Sequence, residues 1–223
     1  MREYITQVLS FGTLPFSEDV LLWDDFSNGL KWSAVRNKTE GVFEVVQEAG
    51  YRSGCSLKMA TSITGTQEND YVFALRYFPV PTARSIRLIC SLNGPGRGDH
   101  KYTDYKIRIF DGTYDHQIAI RFNDVNDKLQ YLDENNSYVD VPGGAVSPGS
   151  SIPCYIKFSA NLATGKYNSL EFQGSSFDLS DYSYYRPAST GARYAEVRIG
   201  VTASGTNPAV VWINAVLIDT IGG

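Results

Sequence analysis

The sequence predicts an all-β, antiparallel sandwich. Three observations predict it. Apolar and polar residues alternate with a period of two along most of the 223 residues, and the helical period of 3.6 is almost absent. Clusters of Gly, Pro, Asn and Asp interrupt the alternation at short intervals, as turns between short strands do. Composition agrees: 20% charged residues are too few for long polar helices, and 13% aromatics are too many for a disordered chain. With 20 Lys+Arg against 24 Asp+Glu and a net charge of -4, there is no electrostatic footprint for nucleic acid. No apolar window reaches the ~18 residues that a membrane-spanning helix needs. Neither nucleic acid nor a membrane is therefore an expected partner.

The elements follow in chain order. Residues 1–20 carry Ile5, Val8, Leu9, Phe11, Leu14 and Phe16 but are interrupted by Gly12 and Pro15. They read either as a first edge strand or as an apolar arm that docks on another subunit. A clear strand start comes at Leu21-Leu-Trp-Asp-Asp-Phe26. In Ser85–Leu92, Ile86, Leu88, Cys90 and Leu92 share one face. Tyr105, Ile107 and Ile109 alternate with Lys106 and Arg108; Ile118, Ile120 and Phe122 follow, then Ile156, Phe158 and Ala160. Ala195, Val197, Ile199, Val201 and Ala203 form the most regular inward set. The final run, Ala209 to Ile218, is apolar on both faces and reads as a central strand, with Trp212 on the core side beside Val210 and Val216. Between these runs lie Asn93–Gly98, Asp111-Gly112, Asp124–Asp127, Asp133–Asn136, Pro142–Gly144, Thr164-Gly165 and Ser204–Pro208 as turns. No Pro/Gly/Ser linker divides the chain, so residues 21–223 are expected to form one β-sandwich domain.

Cys55, Cys90 and Cys154 are an odd set without close spacing, and they read as small core hydrophobes rather than as a disulfide framework. No basic region leads into an apolar stretch at the N-terminus. Both features predict synthesis in the cytoplasm without a signal peptide.

Four stretches resemble a known fold family. Trp23-Asp-Asp-Phe-Ser-Asn-Gly-Leu-Lys-Trp32 is similar to the opening of many carbohydrate-binding modules and glucanase-like domains. Tyr51–Met59 resembles their next strand, Ile156–Phe172 their hairpin around a Thr-Gly-Lys-Tyr turn, and Val211–Asp219 their closing strand. Together, over residues 21 to 219, they resemble a concanavalin A-like (laminin-G/lectin-type) jelly roll. That resemblance implies a lectin-like sandwich, and function only by analogy.

Chemistry is sparse. Retaining glycosidases need two carboxylates ~5–5.5 Å apart, and the resemblance places them on a Glu-x-Asp-x-Glu strand, which this sequence lacks. There is no Gly-x-Ser-x-Gly elbow, and His100 and His116 read as solvated turn residues. No enzyme is expected. The resemblance also implies a structural calcium where first and last strands meet, with Asp24, Asp25 and Asp219 as candidate oxygen ligands. The segment Asp181–Pro187 concentrates Tyr182, Tyr184, Tyr185 and Arg186, residue types typical of binding surfaces, and is the expected ligand or interface site. The expected function is non-enzymatic: a phage virion component (capsid decoration or tail-associated) with a capsid or homo-oligomer as partner. The alternative is a carbohydrate-binding or adhesion module with a glycan partner.

Overall fold

The computed structural model describes residues 20–47, 54–62, 64–94, 99–146 and 154–221. The expected N-terminal arm, the Tyr51–Ser53 part of the second family-like stretch and most of the glycine-rich turn after Asn93 lie outside them. Every regular element of the described residues is a strand. The first ten are β1 (Val20–Asp24), β2 (Ser33–Arg36), β3 (Gly41–Gln47), β4 (Cys55–Ser62), β5 (Tyr71–Tyr77), β6 (Ser85–Asn93), β7 (His100–Phe110), β8 (Asp115–Asn123), β9 (Lys128–Leu132) and β10 (Tyr138–Ala145). The rest are β11 (Cys154–Asn161), β12 (Lys166–Phe172), β13 (Ser175–Asp178), β14 (Tyr194–Ala203) and β15 (Val210–Thr220).

They pair antiparallel into two sheets. The first runs β13-β12-β11-β6-β15-β4-β3, with β1 also on β15; the second runs β10-β9-β8-β7-β14-β5-β2. First and last strands are thus neighbours, Val20 opposite Asp219 and Asp24 opposite Val216. The inward halves of the alternating runs meet between the sheets. Phe122 of β8 stacks on Phe172 of β12 with ring centroids 5.6 Å apart, and both are fully buried. The Tyr167 hydroxyl crosses the core to lie 3.0 Å from the Ala119 and Leu132 carbonyl oxygens, so its burial leaves no polar group unsatisfied. Cys90 and Cys154 are buried, Cys55 is half-buried, and all three are free thiols.

The turns close as their chemistry demands. At Asp111-Gly112, the Asp111 carboxylate accepts from the backbone N–H groups of Thr113 (2.7 Å) and Tyr114 (2.8 Å), while Gly112 takes φ 102°.

Two expectations on facing are corrected. Trp212 points to the outer face with Val210, where Lys58 sits over its ring at 5.8 Å. The ladder slips between Ile213 and Ala215, so core parity passes from Val211 and Ile213 to Val216 and Ile218. His100 and His116 are not solvated: each is 1% exposed and lies within a strand. His116 shares the inward parity of Ile118, Ile120 and Phe122.

Candidate functional site

The outward half of the alternation on β14, β7 and β8 carries charge, not inert surface. Cross-strand partners share a face, so the ladder builds rows. One row runs Tyr77, Glu196, Arg108, Gln117 and Tyr185. The next places Arg198 beside Lys106 and Ala119, and a third places Phe73, Gly200, Asp104 and Arg121 in line.

The carboxylates of this outer face are almost covered: Glu196 is 2% exposed, Asp104 5% and Asp115 5%. Each is held by an arginine. Arg108 grips Asp115 with two parallel hydrogen bonds, Nε to Oδ1 at 2.9 Å and Nη2 to Oδ2 at 2.7 Å. Burial pushes the Asp115 carboxyl up, but the Arg108 guanidinium, with the Gln117 amide and the Tyr194 hydroxyl, outweighs it and holds the group below its ordinary value. Arg198 donates to Glu196 at 2.9 Å. Arg121 donates to Asp104 at 2.7 Å and lies between the rings of Tyr102 (4.0 Å) and Tyr138 (3.7 Å). For Asp104 burial prevails over Arg121, and its carboxyl is raised. The Gln117 amide links the pairs, donating to Asp115 at 2.9 Å and accepting from Lys106 Nζ at 2.7 Å. The result is a fixed array of donors, acceptors and half-buried aromatic rings, with Tyr77 (63% exposed) at one end of a row and Tyr185 at the other.

The segment expected to bind divides. Tyr184 is 1% exposed, its hydroxyl 2.8 Å from His116 Nδ1 and 3.2 Å from the Asn161 carbonyl. It belongs to the core, because the segment crosses from one sheet to the other and turns this ring inward. Tyr182 packs on Tyr131 at 5.0 Å. Arg186 donates to the Leu162 and Ala163 carbonyls and covers the Tyr114 ring at 4.6 Å, which ties down the β11–β12 turn. Tyr185 alone of the four is bridged to the outer face, through Gln117, with a backbone hydrogen bond of 2.9 Å. Beside it is a cleft of about 290 Å³ lined by Glu134, Thr164, Gly165, Tyr185 and Pro187 among others.

The three carboxylates expected to share an ion do not converge. Asp24 accepts from the Phe26 N–H (2.8 Å), from Trp32 Nε1 (3.0 Å) and from Arg76. It thereby closes the Trp23–Trp32 motif as a structural staple. Asp25 accepts from the Ser27 hydroxyl and N–H. Asp219 pairs with Arg87 directly across β6–β15, at the far end of the β1–β15 ladder from Asp24. Among the described residues no group of three or more His, Cys, Asp or Glu is placed to hold a metal.

The outer-face array was written in the polar half of the alternation, at Asp104, Lys106, Arg108, Gln117, Arg121, Glu196 and Arg198, which the sequence alone does not distinguish from ordinary solvent-facing positions.

Comparison with known proteins places the fold. No protein-family profile matches the chain, and no curated protein sequence matches it. Among solved structures, it is similar to the cellulose-induced protein Cip1, with TM-score 0.62 and 15% identity over 88% of this chain and 96% of that one. It is also similar to a carbohydrate esterase of the Shiga toxin-encoding bacteriophage phi24B (0.58, 14%, 91% and 99%). A third is a GH16 protein of Bacteroides ovatus, solved with a mixed-linkage glucan product (0.56, 10%, 88% and 99%). The fold is the concanavalin A-like jelly-roll sandwich that the four sequence stretches resemble.

Proposed function

We propose that the protein is a polysaccharide-binding module, and that the sugar chain lies along the outer face of the second sheet. The observation that carries this reading is the row Tyr77, Glu196, Arg108, Gln117 and Tyr185. Its four gaps between neighbouring strands span about 19 Å, room for several sugar rings. The ends are aromatic platforms, and the middle is a preorganised set of charged and amide hydrogen-bonding groups. The named neighbours that bind or act on carbohydrate support the same reading. Each carboxylate of the face is engaged by an arginine, which favours recognition over glycoside hydrolysis, where one acid must protonate the leaving oxygen.

Affinity electrophoresis against a panel of soluble plant, algal and bacterial polysaccharides tests it. We expect at least one to retard the protein, and Tyr77→Ala and Tyr185→Ala each to weaken that binding about tenfold, or ~1.4 kcal/mol, with an unchanged thermal midpoint. Retardation that both variants share in full with the wild type would refute the assignment of this face.

A virion role is the second reading, supported by the likeness to a bacteriophage protein. It is compatible with the first, since a virion component can bind glycan. Loss of particle association on removing residues 1–20, with glycan binding intact, would establish it.

A further inference from the structure

The charges of the outer face do not cancel. On β14, β7 and β8 it carries four cations, Lys106, Arg108, Arg121 and Arg198, against three carboxylates, Asp104, Asp115 and Glu196. The arginines are matched one to one with those carboxylates. Lys106 is left over. Its Nζ donates to the neutral Gln117 amide at 2.7 Å, and among the described residues it forms no ion pair. Two of its neighbours on the face are cationic, Arg198 as its direct partner on β14 and Arg108 two residues along its own strand, while Asp104, already paired with Arg121, lies two residues the other way. A half-buried ammonium in that position loses hydration and gains repulsion. Burial, then the fields of Arg108 and Arg198, outweigh the attraction of Asp115 and Glu196 and hold the Lys106 ammonium below the usual lysine range. An anion set over Lys106 would supply the missing counter-charge, in a protein whose overall charge of -4 otherwise repels anions.

Resting on the polysaccharide reading of this face, we propose that the bound polysaccharide is acidic, and that Lys106 is the residue that takes the carboxylate or sulfate group of one of its sugars. Arg108 and Arg198 then act as fixed walls, their own carboxylates keeping them in place. A neutral glycan would leave the extra cation uncompensated under the sugar, so discrimination against neutral chains is built into the floor of the site.

Isothermal titration with polymer pairs tests this on the intact protein: polygalacturonate and alginate against their carboxyl-reduced forms, and dextran sulfate against dextran. We expect binding to at least one charged polymer, at least tenfold weaker binding to its neutral counterpart, and an affinity that falls as NaCl is raised from about 50 to about 500 mM. Lys106→Gln should lose about tenfold on the charged polymer and Lys106→Arg should keep most of the affinity, each with a thermal midpoint near wild type. Equal binding of a charged polymer and its neutral form by the wild-type protein overturns the inference, and this comparison needs no variant. So does full affinity of a folded Lys106→Gln variant. In either case the face remains a glycan site. If no polysaccharide, charged or neutral, binds the wild type, the reading of the face itself falls and the inference with it.

Discussion

His116 shows how much one buried side chain decides. Asp111 Oδ2 lies 3.0 Å from Nε2 and the Tyr184 hydroxyl 2.8 Å from Nδ1. A carboxylate only accepts, so Nε2 carries the proton, and in the neutral ring Nδ1 accepts from Tyr184. Burial holds the imidazole below its ordinary value and outweighs the opposing pull of Asp111. Asp111 itself is lowered to about 2: its own burial works against this, but the Tyr114 N–H, the His116 ring and the Thr113 N–H prevail. The sign for His116 follows. The unfolded chain takes up a proton near pH 6.5 and the folded ring resists it, so stability is full above that pH and declines as pH falls through it. Asp111 stays ionised over that window and contributes nothing to the slope. Urea unfolding of the wild type between pH 7.5 and 5 should lose stability at up to about 1.4 kcal/mol per pH unit from this group. The His116→Gln variant should show a shallower decline, and an equal slope in both proteins would refute the account.

At the scale of elements, the alternation on β6, β8, β11 and β14 was legible to within a residue or two, because burying one face fixes parity, whereas β7 begins at His100, five residues before the run read from Tyr105. The inward sets on β6, β7, β8, β11 and β14 are the buried sets. Trp212 was not legible. The slip between Ile213 and Ala215 that turns it outward is a backbone event, accompanied by the Asn214 side chain bonding Ser56 and Asn93 on the neighbouring strands. The burial of His116 could have been read by extending the Ile118–Phe122 parity one step back. Tyr184 could not, because the fold and not the local pattern turns that connection inward. Gly200 is a further element-scale constraint: a Cβ there would meet the Val72 carbonyl at 2.3 Å and the Phe73 ring at 2.5 Å. Gly200→Ala should therefore force β5 away from β14 and cost about 1–3 kcal/mol. A urea midpoint equal to wild type would show that the contact relaxes freely.

At the scale of the molecule, the two sheets divide their tasks. The first holds the Asp219–Arg87 pair within its own β6–β15 ladder, and Asp24 of its β1 reaches across to Arg76 on β5 of the second. The second carries the outer-face array. Since Asp24 and Asp219 already have guanidinium partners, thermal unfolding in calcium and in EDTA should give the same midpoint. A rise of several degrees with calcium would place an ion that these side chains do not account for.

The pairing of β1 with β15 has a consequence for how such a body is used. Val20 lies opposite Asp219, so the described chain enters and leaves the sandwich one ladder rung apart, in the layer away from the array. A unit with adjoining ends can be spliced into a loop of a host protein, or reopened at a hairpin such as Asp133–Asn136 and rejoined, without displacing a strand. On the polysaccharide reading, the sugar-binding face and the β1–β15 pairing lie in different sheets.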